Sequence, residues 1–273
     1  MHKVTFIGGG NMAAAIAGGL IASGMTARDI EVVEISPDAR ARLSASLGVQ
    51  VRAELGEATL HELIVLAVKP QQLPQVAAAL APRLSGQLLL SIAAGVRVAD
   101  LSRWLGGHAR IVRAMPNTPA LVRAGIAGLY APPAVTHEAR SAAETVLRAV
   151  GGVVWVEEER LLDAVTAVSG SGPAYVFYFI ESLEAAAVAQ GLAPATARQL
   201  ALQTFFGAAK LALESGEQPA VLRQRVTSKG GTTERGIAAL EAAAVKQALE
   251  QAVDAARLRG AELGDELGRL QVS

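Results

Sequence analysis

One local pattern near the start of the chain limits the fold more than any other. A β-branched apolar run, Lys3–Ile7, passes through Gly8, Gly9 and Gly10 directly into an alanine-rich helical stretch, Asn11–Ser23. Gly8, Gly10 and Ala13 have G-x-G-x-x-A spacing, and at a strand-to-helix junction this marks a βαβ unit built to receive a dinucleotide. Each position has a physical reason. Gly8 permits the tight turn, Gly10 lets the backbone approach a pyrophosphate, and Ala13 lets helix and strand pack closely. The amides of the first helical turn then face the anion.

The rest of the first half extends that unit. Ile30–Ile35, Leu63–Val68, Leu88–Ile92 and Ile111–Met115 read as further strands, separated by helical stretches at Pro37–Leu47, Gln71–Leu84 and Val98–Leu105. Such alternation implies a parallel sheet covered on both faces. Ile126–Tyr130 and Val153–Val156 flank a helix at His137–Val150 and extend the sheet. After Trp155 the pattern changes. The acidic run Glu157–Glu159 opens a strand-free, alanine- and leucine-rich region, broken at Gly170–Pro173, Gly191–Pro194, Gly216–Pro219 and Lys229–Gly231. The expected fold is α/β, with a Rossmann-type dinucleotide-binding domain over residues 1–160 and an all-α domain over residues 161–273. Apolar residues make up 51% of the chain, more than a short helical half readily buries alone. That half is therefore expected to pack on a partner subunit, a self-contained bundle being the alternative.

Composition removes several function classes. The 25 basic and 25 acidic residues balance, which argues against a nucleic-acid coat or a polybasic membrane surface. With no cysteine there is no disulfide, thiolate nucleophile or cysteine-held metal, and the four histidines lack metal-ligand spacing. No apolar run reaches the roughly 20 residues of a membrane span. A soluble protein of a reducing compartment, the cytoplasm, is expected.

Glu34 ends the second strand about 20 residues past Ala13, where an acid grips the adenosine ribose 2′-hydroxyl of NAD. Ser36, Arg40 and Arg42 follow at once and offer a seat for a 2′-phosphate instead, so both coenzyme forms stay open.

Six phrases then carry a resemblance: FIGGGNMA from Phe6, AVKPQ from Ala67, SIAAGV from Ser91, RAMPNTPALV from Arg113, SGSGPAYVF from Ser169 and VTSKGGTT from Val226. In this order they resemble the pyrroline-5-carboxylate reductases along essentially the whole chain. The resemblance implies reduction of 1-pyrroline-5-carboxylate to L-proline, the last step of proline synthesis. It implies NADPH as cofactor, with NADH also used, and a homodimer formed by the helical domain, an assembly of dimers being left open. By the same resemblance Ile7, Gly8, Gly9, Gly10, Asn11 and Met12 line the cofactor together with Ala67, Val68, Lys69 and Pro70. Lys69 is read as ribose-facing rather than catalytic, because imine reduction needs no amine base. Asn117, between Pro116 and Pro119, is assigned to the cofactor or to a rigid turn. Two positions depart from the family pattern: Glu54 stands where many relatives carry asparagine, and Lys229 where many carry proline.

VTSKGGTT is the expected substrate site. Gly230 and Gly231 are read as leaving amides uncovered, and Thr232 and Thr233 head the next helix. Amides, hydroxyls and a helix dipole together favour the substrate carboxylate. Thr233 matches the family threonine that approaches the ring nitrogen and is the one side chain assigned to catalysis; Ser228 completes the pocket. A β-hydroxyacid dehydrogenase would want a catalytic lysine on the interdomain helix, and there is no lysine between Asp163 and Gly191.

Overall fold

The computed structural model describes residues 2–271. Its chain divides into two units, Met1–Ser171 with Ala255–Ser273, and Gly172–Asp254.

The first unit is an eight-stranded sheet. Strands β1 (Val4–Ile7), β2 (Ile30–Val33), β3 (Gln50–Arg52), β4 (Leu63–Leu66), β5 (Leu88–Ser91), β6 (Ile111–Met115), β7 (Gly125–Tyr130) and β8 (Gly151–Trp155) lie in the order β3-β2-β1-β4-β5-β6-β7-β8. All neighbours are parallel except β6 and β7. Every residue of β1, β2, β4 and β5 is buried, so these strands read as mainly apolar runs rather than as alternation, with Thr5, Glu31 and Ser91 the buried polar residues among them. Helices α1 (Asn11–Ala22), α2 (Pro37–Leu47) and α5 (His137–Arg148) cover one face around Phe6, Leu20, Val65 and Leu147. Helices α3 (Leu73–Leu80) and α4 (Val98–Trp104) cover the other around Ile7, Leu66, Leu89 and Trp104. β3 was not expected. It is a three-residue edge strand with exposed ends, too short and polar to show in a hydrophobic pattern. Its Arg52 nonetheless meets the buried Glu31 of β2 at 2.9 Å.

Past β8, α6 (Leu161–Val165) runs into a π-helical turn, Thr166–Gly170. A buried ionic cluster holds α6 to the sheet: Arg113 of β6 pairs with Glu159 at 3.0 Å and reaches Asp163 at 3.9 Å. Glu159 also accepts the Val98 N–H at 2.7 Å, tying in the start of α4. Burial pushes the Asp163 carboxyl above its usual range, against the opposing pull of Arg113.

The second unit comprises α7 (Gly172–Ala189), α8 (Pro194–Ser215), α9 (Pro219–Arg225), α10 (Thr232–Ala242) and the start of α11 (Val245–Gly268). α10 and α11 are parted at Ala244, which has φ 55°, a left-handed conformation in an alanine run that reads as continuous helix. The expected junction at 160/161 therefore differs from the division found, at 171/172, and the end of α11 is counted with the sheet. Leu267 enters the core beside Trp104, the Trp104 Nε1–H donates to the Leu270 carbonyl at 3.2 Å, and Arg97 pairs with Asp265 at 2.7 Å. Burying one leucine favours this return by about 1.5–3 kcal/mol.

Candidate active site

In an open parallel sheet, ligands bind beyond the carboxyl ends of the strands where the strand order reverses. Here that point lies between β1 and β4. The residues expected at the cofactor all lie at or just past the carboxyl ends of β1, β2, β4 and β6. Ile7 closes β1; Gly8, Gly9 and Gly10 form the turn; Asn11 and Met12 open α1. Glu34 and Ser36 follow β2, Ala67–Pro70 follow β4, and Asn117 follows β6. Ile7, Gly8, Gly10, Glu34, Ala67, Val68 and Lys69 border one cavity of about 600 Å³. Gly9 and Asn11 border another, of about 510 Å³, between α1 and α2. Met12, Ser36 and Pro70 border neither of these two cavities.

The three glycines have different causes. Gly8 has φ +101°, and a Cβ there would lie 2.7 Å from the Ala67 carbonyl oxygen. Any side chain would push the glycine turn off the end of β4. At Gly9 a Cβ would meet Leu43 at 2.6 Å. Gly10 has an ordinary φ of −68° and would place a Cβ in open space. Neither conformation nor packing explains its missing side chain, whereas close approach of a ligand does. The helix it opens supports this. α2 and α5 are capped by Ser36 and Thr136, with Asp38 and Glu138 in their first turns. α1 has neither a capping side chain nor an acid, so its first-turn amides remain available to an anion. These residues fit a dinucleotide pyrophosphate.

Glu34 sits over this turn. Its Oε2 accepts the Gly9 N–H at 2.7 Å, and its Oε1 accepts the Ser36 N–H at 2.8 Å. Arg40 is turned back, donating to the Glu34 carbonyl at 2.7 Å and the Ile35 carbonyl at 2.9 Å. The Ser36 hydroxyl accepts the Ala39 N–H at 3.4 Å as the cap of α2. Glu54, set aside in the sequence as a departure, also borders the 600 Å³ cavity, as do Gln72 and Gln75. The signal for Gln72 and Gln75 was their place just after AVKP; no motif marks them.

Asn117 borders neither of the two cavities. Its side chain is 8% exposed. Oδ1 accepts the Ile126 N–H at 2.9 Å, and Nδ2 donates to the Ser169 carbonyl at 3.1 Å. Those bonds brace the end of β6 against β7 and the π-helical turn, which is the rigid-turn alternative for MPNTP.

The expected substrate residues lie in the other unit, between α9 and α10. Ser228, Gly230, Thr232 and Thr233 are exposed. Here the structure corrects the sequence. The Gly230 and Gly231 amides are not uncovered: Gly230 N–H donates to Glu234 Oε2 at 2.7 Å, and Gly231 N–H to the Ser228 carbonyl at 3.0 Å. Gly230 has φ +74°, but Gly231 has an ordinary φ of −84°, and a Cβ there would lie 2.9 Å from the Ser228 hydroxyl and 3.1 Å from the Ser228 carbonyl oxygen. The donors left for an anion are the Thr232 and Thr233 amides of α10, which lacks a capping side chain, together with the two threonine hydroxyls.

Comparison with known proteins places both halves. Residues 159–263 match the family model described as pyrroline-5-carboxylate reductase dimerisation. Residues 3–95 match the model for NADP oxidoreductase, coenzyme F420-dependent. The chain is 45% identical over 269 residues to the pyrroline-5-carboxylate reductase of Pseudomonas aeruginosa, covering 98% of each protein. It is 42% identical to that of Haemophilus influenzae, covering 96% of this chain and 98% of the relative. Among solved structures, a pyrroline-5-carboxylate reductase from Coxiella burnetii superposes with TM-score 0.92 at 43% identity, covering 96% of this chain and 98% of that one. The Plasmodium falciparum pyrroline carboxylate reductase, solved with NADP bound, gives TM-score 0.85 at 30% identity over the same shares. Matched along nearly its full length by such relatives, the chain belongs to the pyrroline-5-carboxylate reductase family.

Proposed function

We propose that the chain reduces the C=N bond of 1-pyrroline-5-carboxylate to give L-proline, and that the turn Gly8–Met12, Glu34 and Ala67–Pro70 hold a nicotinamide dinucleotide. The observation that carries the site is Gly10, a glycine with no neighbour and no unusual φ at the head of an uncapped helix. When bound, NADPH (the form the family implies) or NADH supplies the hydride.

The residues of the chain then have limited work. The α1 amides and Gly10 hold the pyrophosphate. The Thr232 and Thr233 amides, with the α10 dipole, hold the substrate carboxylate. The Thr233 hydroxyl oxygen accepts the N–H of the protonated ring nitrogen and fixes the imine carbon's face. A protonated imine is already electrophilic, and the amine product takes its proton from water, so no buried acid or base is required. The decisive assay is conversion of 1-pyrroline-5-carboxylate to L-proline by the purified chain with each coenzyme. Absence of proline with both would overturn the assignment.

The assembly is a homodimer through the helical unit. Supporting this, Phe177, Tyr178 and Phe206 are 64%, 68% and 62% exposed, and Leu213 is 85% exposed, which a lone soluble unit rarely tolerates in one short region. Sedimentation velocity checks it: the expected species is twice the chain mass, and Phe206→Asp shifts it toward monomer.

A further inference from the structure

The carboxylate of Glu34 is held in place before any ligand arrives. Gly9 N–H fixes one oxygen at 2.7 Å and Ser36 N–H fixes the other at 2.8 Å. An ionised carboxylate has about four acceptor sites, so each oxygen keeps about one. A ribose carrying free 2′- and 3′-hydroxyls brings two donors to those sites. A 2′-phosphate brings no donor at neutral pH and sets a second negative charge against a fixed one.

The cations that could offset this charge are otherwise engaged. Arg40 donates to the carbonyls of Glu34 and Ile35. Arg42 borders the separate cavity beside Asn11. Lys69 borders the 600 Å³ cavity, but so does Glu54, so the titratable groups around that cavity are two carboxylates and one ammonium.

We infer that Glu34 is the residue that determines coenzyme specificity and that this chain binds NADH in preference to NADPH. The inference rests on the dinucleotide reading of the cleft. It departs from the NADPH preference that the family resemblance implies.

Calorimetric titration of the substrate-free protein with NADH and NADPH, and with 5′-AMP and adenosine 2′,5′-bisphosphate as fragments, tests it. The expected result is NADH tighter than NADPH by roughly tenfold to a hundredfold, the worth of a hydrogen bond to a charged group, and 5′-AMP tighter than the bisphosphate. The gap narrows in high salt, which screens the like charges. It narrows also in Glu34→Gln, whose amide oxygen still accepts one backbone N–H. Arg40→Met, which removes the guanidinium bonded to the Glu34 and Ile35 carbonyls, lowers both affinities equally or neither. Equal or tighter NADPH binding by the wild type overturns the inference. So does an unmoved ratio in a Glu34→Gln protein that melts normally, or a loss confined to NADPH in Arg40→Met. Failure of every nucleotide to bind the wild type would instead bring down the dinucleotide reading and the inference with it.

Discussion

Gly8 and Gly10 are two residues apart, and substitution at each should fail in a different way. In Gly8→Ala the new Cβ lies 2.7 Å from a backbone carbonyl that no rotamer can move, at φ +101°. Positive φ costs a non-glycine residue about 1–3 kcal/mol, and overpacking adds about 1–3 kcal/mol. A loss of at least about 2 kcal/mol lowers the melting temperature by about 4–8 °C in a unit of this size. In Gly10→Val the new Cβ meets nothing within 4 Å and φ is ordinary, so the free protein should stay within about 0.5 kcal/mol of wild type. Saturation with coenzyme at about a hundred times Kd stabilises wild type by about 2.7 kcal/mol, or about 5–11 °C. Gly10→Val should forfeit that increment, because the valine methyls occupy the pyrophosphate's place. Scanning calorimetry with and without coenzyme measures both quantities. A Gly10→Val protein that melts like wild type and keeps the coenzyme-induced rise would refute the reasoning, as would a Gly8→Ala protein of undiminished stability.

Three further outcomes are expected. Thr233→Val should lower kcat/KM for 1-pyrroline-5-carboxylate roughly tenfold to a hundredfold, the cost of a hydrogen bond to a charged group, while coenzyme affinity measured without substrate stays constant; the reverse pattern would show that α10 does not hold the substrate. Arg113→Met strands Glu159 and Asp163 at the end of β6 and should cost about 3 kcal/mol in urea denaturation, the lower end for a broken buried pair because Glu159 keeps the Val98 amide; a midpoint like wild type's would count against the cluster. Burial pushes the His108 imidazole below its usual 6.5, outweighing its bond to the Gln87 carbonyl, so the unfolded chain binds the proton more readily. Stability should therefore be fully present above 6.5 and fall as pH drops through the folded value, and His108→Gln should flatten that slope in urea titrations across the range.

Residues that bury whole strands or punctuate helices declared themselves in the sequence. β1, β2, β4 and β5 are buried on both sides and mainly apolar, and the helices of the second unit begin close to the sequence breaks, at Gly172, Pro194, Pro219 and Thr232. What stayed hidden depends on distant partners. β3 exists because Glu31 needs Arg52, and Ala244 turns left-handed inside a run of good helix formers. Asn117 was read as a ligand contact or a turn residue because a polar residue between prolines fits both roles; its bonds to Ile126 and Ser169 depend on distant elements that no local pattern shows. The amides of Gly230 and Gly231 looked free because nothing in a glycine pair reveals that Glu234 and the Ser228 carbonyl will bend back to them. Glu34, read from the sequence as the end of the second strand, lies one residue past β2, and the structure adds the two amides that fix its direction.

The return of α11 to the sheet has a consequence for how the protein is made. A ribosome has delivered the strands of the sheet once Trp155 emerges, yet Leu267, which joins the core cluster of Trp104, and the Leu270 carbonyl that accepts its indole N–H come only after the whole helical segment. The amino-terminal unit cannot finish folding before the helical segment is made, as successive independent domains commonly do. Until α11 and Leu270 are made, α4 presents an apolar seat with its indole N–H still without the Leu270 carbonyl, and the helical segment must be synthesised whole in the interval. Nascent chains stalled before α11 should therefore be the species that chaperones hold longest.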